Sequence, residues 1–179
     1  MSNHSRLLVI DASVLRSAGD KTGHSKHCTE LLYKILTICH RAVLCEELKL
    51  EWNRHQSRVS IKWRSAMISK KQLILKNVTV QAAHIQSQID SAVSLTNAAR
   101  EAIEKDIHLI ALSKMADNIL LTGDLALKNY VESNLNLSPI EWLTNHNAHT
   151  LEQNQEVIGR LVELNKKYPS PPIPSSYPT

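Results

Sequence analysis

Apolar residues in this chain fall into short unbroken runs, separated by longer stretches in which they recur every three or four positions. Residues 6–10, RLLVI, run between polar Ser5 and Asp11. A run of that kind with no polar alternation predicts a strand buried on both faces, as in a central parallel sheet. Asp11 follows and leads into a helix start at Ala12. Residues 17–28 are polar, hold two of the four glycines and predict a loop. Over 29–41 the apolar positions Leu31, Leu32, Ile35, Leu36, Ile38 and Cys39 make one broad helical face. A second short strand is predicted at 42–45. A helix over 46–56 follows, with Leu48 and Trp52 on one side and Glu51 at the border of that side. The helical pattern continues over 57–76, with a break near Ser57 or Ser60, and Val59, Trp63 and Met67 supply core. Residues 77–81 read as a strand or a linker.

Helices are predicted over 82–93, 98–105 and 106–115, then a strand over 119–122, a helix over 125–133 and a weak strand over 137–140. Pro139 has no amide hydrogen to donate and confines that last strand to a sheet edge. Thr150 and Gln153 resemble a capping box that opens a final helix over 151–167, with Val157, Leu161 and Leu164 as its apolar stripe. Alternation of strand and helix predicts a three-layer α/β/α fold with a mostly parallel sheet. Residues 1–145 form the expected domain and 146–167 a helical extension. Residues 168–179, with five of the six prolines, form a tail expected to be extended or disordered.

Composition narrows the class. The 179 residues are 42% hydrophobic, enough for a folded body with its own core. Phe is absent, so Leu, Ile, Val and Ala must build that core. Cys28, Cys39 and Cys45 make an odd count with no C-x-x-C pair, which speaks against a disulfide framework and for small buried residues in a reducing cytoplasm. The polar residues 1–6 do not form a signal peptide, and no stretch approaches the ~20 apolar residues of a membrane span. A soluble cytoplasmic protein is expected.

Net charge is only +4, but its distribution matters. From Trp52 to Ile89 there is no Asp or Glu, while Arg54, Arg58, Lys62 and Arg64 fall early in the span. Arg54, Arg58 and Lys62 at i, i+4 and i+8 predict one basic helix face suited to a nucleic-acid backbone. A solvated face, or a contact for an acidic protein, has the same pattern. The pairs His24/His27 and His146/His149 lack a third ligand and read as surface residues.

Two apolar strands end on carboxylates, Asp11 and Asp124. In a parallel sheet, ligands bind beyond the carboxyl ends of the strands. Like charges there repel unless a cation neutralises them. Asp106 and Glu51 are helix residues that complete such a cluster, and four hard oxygen ligands suit Mg²⁺ or Mn²⁺ rather than zinc. Each Asp taken alone is also an ordinary helix N-cap, and Glu51 alone an ordinary surface residue.

The segments VIDASVL, EELKLEW and DIHLIALSKMADNILLTGDLALKNY together resemble the PIN-domain nucleases over residues 6–142. The matching residues are Asp11 and Ser13, Glu51, Asp106, and Thr122 with Asp124; Glu46 and Glu47 are alternatives for the role of Glu51. The resemblance implies metal-dependent hydrolysis of RNA phosphodiesters. Asp11, Glu51, Asp106 and Asp124 would be its catalytic metal ligands, and Ser13 and Thr122 its supporting hydroxyls. It also implies an antitoxin protein as inhibitor and a second copy of the chain as partner. The rival reading is a non-catalytic module of the same fold that binds RNA or protein. A haloacid-dehalogenase-like phosphatase requires D-x-D, and here the third residue is Ser13. No G-x-G-x-x-G or P-loop is present for a nucleotide cofactor.

Overall fold

Three apolar segments form the middle of the sheet: β1 (Leu7–Ile10), β2 (Arg41–Leu44) and β4 (Ile119–Thr122). Leu8 to Ile10, Ala42 to Leu44 and the whole of β4 are buried, as expected of strands covered on both faces. The computed structural model describes residues 5–144 and 151–165. Its sheet is completed by β3 (Leu73–Leu75) and β5 (Glu141–Thr144), in the order β3-β2-β1-β4-β5 with every pairing parallel. The helices are α1 (Ala12–Ser17), α2 (Gly23–Ile38), α3 (Glu46–His55), α4 (Arg58–Ser69), α5 (Thr79–Ser91), α6 (Asn97–Lys105), α7 (Ile107–Lys114), α8 (Leu125–Asn134) and α9 (Leu151–Leu164). Together these elements make the three-layer α/β/α fold. The chain steps outward from β1 through β2 to β3, then returns to the other side of β1 for β4 and β5. The reversal opens a crevice between the carboxyl ends of β1 and β4, the place where such sheets take ligands.

Several boundaries differ from the periodicity reading, each for a local reason. Helix α2 begins at Gly23, inside the expected loop, because Thr22 and Ser25 form a reciprocal capping box. It ends two residues before Arg41, where Cys39 takes a left-handed conformation with φ of 68°. Cys39 is therefore an exposed cap, while Cys28 and Cys45 are buried as expected. A second box, Ser57 with Ser60, separates α3 from α4 at the break expected there. The helix expected to reach residue 76 stops at Ser69, and the chain turns through Lys71 at φ 56° into β3. Residues 77–81 are accordingly a turn and the start of α5, with Asn77 accepting from the Thr79 amide at 2.9 Å. The final strand lies at Glu141–Thr144 rather than 137–140, beyond Pro139, and pairs only with β4 as an edge strand.

Helix α9 packs on the body, with Leu161 and Leu164 buried. His40, fully buried at the entry to β2, accepts from the Arg6 amide through Nδ1 at 3.1 Å and donates through Nε2 to the Leu161 carbonyl at 2.9 Å. Arg6 Nε donates to the Leu164 carbonyl at 3.1 Å, and Arg160 pairs with Glu141 of β5. The helix is thus fastened at the amino-terminal edge of the sheet, opposite the crevice. The expected capping box at Thr150, the pair His146/His149 and the proline-rich segment 168–179 lie outside the described residues. Among the described residues no helix is long and apolar enough to cross a membrane.

Burial lowers the His40 pKa, with the Arg6 charge adding to the effect against the Leu161 carbonyl and Asp117. The unfolded chain, with an ordinary imidazole near pH 6.5, takes up the proton first. Stability conferred by neutral His40 is present above that pH and declines as pH falls below it. Replacing His40 with Ala orphans a buried carbonyl and amide and should cost about 2–3 kcal/mol in urea unfolding at pH 7.5. The acid-side loss of stability between pH 6.5 and 5 should flatten in the variant. A change under ~0.5 kcal/mol would mean that α9 is held by other contacts.

Candidate active-site cleft

Asp11 follows the last residue of β1 and its amide still bonds across to the Leu121 carbonyl at 2.9 Å, so β4 fixes its position. Its carboxylate is held by three donors. Ser13 gives its amide at 3.2 Å and its hydroxyl at 2.6 Å, and Thr122 gives its hydroxyl at 2.7 Å. Those hydroxyls are oriented in turn by backbone amides after β4: Gly123 donates to Ser13 Oγ at 3.2 Å and Asp124 to Thr122 Oγ1 at 3.0 Å. Ser13 and Thr122 thus link the ends of two strands through one carboxylate. Asp124 caps α8 by accepting from the Leu127 amide at 2.9 Å.

Glu51 comes from α3, whose position depends on Trp52. That indole is fully buried and donates to the Ile10 carbonyl at 2.9 Å, one residue before Asp11. Glu51 therefore stands beside Asp11 by a bond from its own neighbour, and its carboxylate lies 3.4 Å from His108 Nε2 on α7. Glu46 and Glu47 line a separate cavity of about 240 Å³ with Leu75 and Lys76. Of the three glutamates, Glu51 is the one in the crevice.

Asp106 sits at the junction of α6 and α7, and its side chain makes no capping hydrogen bond. Burial raises its pKa to about 6; Lys105 and His108 oppose that rise, while the charges of Asp11 and Glu51 add to it. Asp11, Glu51, Asp106 and Asp124 all line one cleft of about 590 Å³. Four separate chain segments supply them. Among the described residues no three His, Cys, Asp or Glu side chains close on a common point as a metal cage would. The four acids offer oxygen donors to the cleft, which His24 and His55 also line.

The basic residues divide differently from the expectation. Arg54 lines the cleft, but Arg58 and Lys62 belong to α4, because the Ser57 box breaks the helix before them. The continuous face Arg54–Arg58–Lys62 therefore does not exist. Arg64 donates to Asn53 at 2.5 Å and lies 5.9 Å from the Trp52 ring, bracing α3 from outside. Arg16, His24, His55 and Lys105 also line the cleft, and sequence reasoning passed over all but His24. Two signals were there to read: Arg16 follows Asp11 on a short helix, and Lys105 adjoins Asp106. His24 was expected on the surface of a loop, but its place on α2 brings it to the cleft.

Comparison with protein-family models, with curated proteins and with solved structures gives no match.

An acid whose pKa is raised on folding penalises the native state above that pKa and not below its ordinary value near 3.8. Asp106→Asn should therefore raise stability in chelator-containing buffer at pH 7.5, by on the order of 1 kcal/mol after solvent screening. The gain should shrink to nothing as pH falls toward 4. Thermal denaturation at several pH values measures it. A constant difference across pH would show that charge at residue 106 is not the source.

Proposed function

We propose that this protein is a metal-dependent endonuclease that hydrolyses RNA phosphodiester bonds. The reading rests on one observation above all: Asp11, Glu51, Asp106 and Asp124, from four separate segments, line the same crevice at the sheet's switch point. Independent helix caps need not meet. The Asp106 side chain, moreover, performs no capping, and its crowded carboxyl resists ionisation in a way that a bound cation would relieve. The resemblance to PIN-domain nucleases supplies the substrate class, and extends the reading to a toxin held in check by an antitoxin protein.

The donor set suits Mg²⁺ or Mn²⁺, since an open cleft of hard oxygens lets the ion keep several of its waters. When bound, the ion would acidify a coordinated water and place positive charge against the phosphoryl oxygens and leaving group. Asp11 would hold it with a carboxylate already pinned by Ser13 and Thr122, so little ordering cost remains at binding. Glu51 would approach from α3 and Asp106 from the opposite helical layer, with Asp124 beside the β4 terminus. Cleft residues Arg54 and Lys105 would offset the charge of the incoming strand.

A second reading has its own observation. Asp11 and Asp124 do accept hydrogen bonds from helix N-termini, as caps in a binding module with no catalytic role would. Single-turnover cleavage of a labelled single-stranded RNA in Mn²⁺ separates the two. The wild type should cleave, and Asp11→Asn, Glu51→Gln, Asp106→Asn and Asp124→Asn should each lose at least ~100-fold in rate. Ser13→Ala and Thr122→Val should lose roughly 10- to 100-fold. Unchanged rates in Asp11→Asn and Asp106→Asn would contradict the mechanism. Binding without cleavage by the wild type would support the module.

A further inference from the structure

Four carboxylates in one cleft repel a polyanion, so a strand that enters must meet compensating charge at the rim. Arg16 lies in the last turn of α1, Arg54 in the last turn of α3, and Lys105 ends α6. All three line the acid cleft and all three are exposed. Among the described residues none of them forms an ion pair within 4 Å, unlike Arg100 and Arg160, which are engaged with carboxylates. Their charges are therefore available to a ligand. They are also placed asymmetrically. Helices α1 and α3 pack on each other and carry the two guanidiniums, while α6 packs on α7 and α8 and carries the ammonium.

The two kinds of cation do different work. A guanidinium presents a planar fork that matches two phosphate oxygens, whereas an ammonium acts as a point charge. The cleft volume of about 590 Å³ takes a short segment of strand. We infer that Arg16, Arg54 and Lys105 form a phosphate-binding rim around the four acids. The arginines hold the backbone against the α1–α3 wall and Lys105 holds it from the other side. Arg58 and Lys62, carried on α4 and absent from the cleft lining, are not part of the rim, and Arg64 is committed to Asn53 and Trp52. The inference rests on the nucleic-acid reading of the cleft but not on catalysis.

The test measures binding without hydrolysis. In full-length protein carrying Asp106→Asn, the affinity for a short fluorescein-labelled oligouridylate is followed by anisotropy across a range of KCl concentrations. Each phosphate contact to a single strand contributes about 0.7 to the slope of log affinity against log salt. Adding Arg16→Gln, Arg54→Gln or Lys105→Gln should each lower that slope by about 0.7, and Arg58→Gln or Lys62→Gln should leave it unchanged. These positions are exposed, and circular dichroism confirms that each variant is folded. Unaltered slopes in the three rim variants would overturn the inference. So would equal losses in the α4 variants, or no binding by the Asp106→Asn parent. If the slopes fall as expected while the wild type hydrolyses no RNA, the rim stands and the nuclease reading fails. If the wild type hydrolyses RNA and the slopes do not move, the nuclease reading stands and the rim fails.

Discussion

Asp11 is the point on which the site depends, because one carboxylate joins two strands and faces three other acids. Its two oxygens take an amide and two hydroxyls, and those hydroxyls are aimed by the amides of Gly123 and Asp124. The bonds run in one direction, from the backbone after β4 through Ser13 and Thr122 to Asp11. The same network fixes the distance between the ends of β1 and β4. Trp52 extends the arrangement to α3, since its bond to the Ile10 carbonyl carries Glu51 along with it.

Electrostatic strain is unevenly shared. Asp11 and Asp124 have backbone or hydroxyl donors, and Glu51 has His108 nearby. The Asp106 side chain makes no cap bond, and burial raises its pKa to about 6. Such an arrangement costs stability in the free protein, and a protein retains it only where another use offsets the cost. Cations at the mouth of the cleft limit that cost without closing it. Strain and fastening are thus separated in space: the crevice carries the strain, while the opposite edge of the sheet carries the fastening of α9 by His40, Arg6 and Arg160.

The central strands and the acids were legible because burial on both faces leaves a direct mark on the sequence. RLLVI and NILLT are unbroken apolar runs, and each delivers an Asp to the same sheet edge. Strand β3 left no such mark: as an edge strand of three residues it is only partly buried, and its LIL run reads equally well as the end of a helix. The start of α2 was hidden because its capping box uses Ser, not Glu or Gln, at the third helical position, whereas the break before α4 fell at Ser57, one of the two positions expected for it. That break also dissolved the basic face drawn through Arg54, Arg58 and Lys62. His24 and His55 are brought to the cleft by tertiary packing, while Arg16 and Lys105 were legible only through their nearness to Asp11 and Asp106.

The claim that these four acids are a cation site, and not a set of caps that happen to meet, is tested most directly by calorimetric titration of Mn²⁺ into the metal-free protein. The account predicts saturable binding that is abolished in Asp11→Asn and in Asp106→Asn, the second at a side chain that caps no helix. Absence of heat with the wild type, or binding that persists unchanged in both variants, would contradict it.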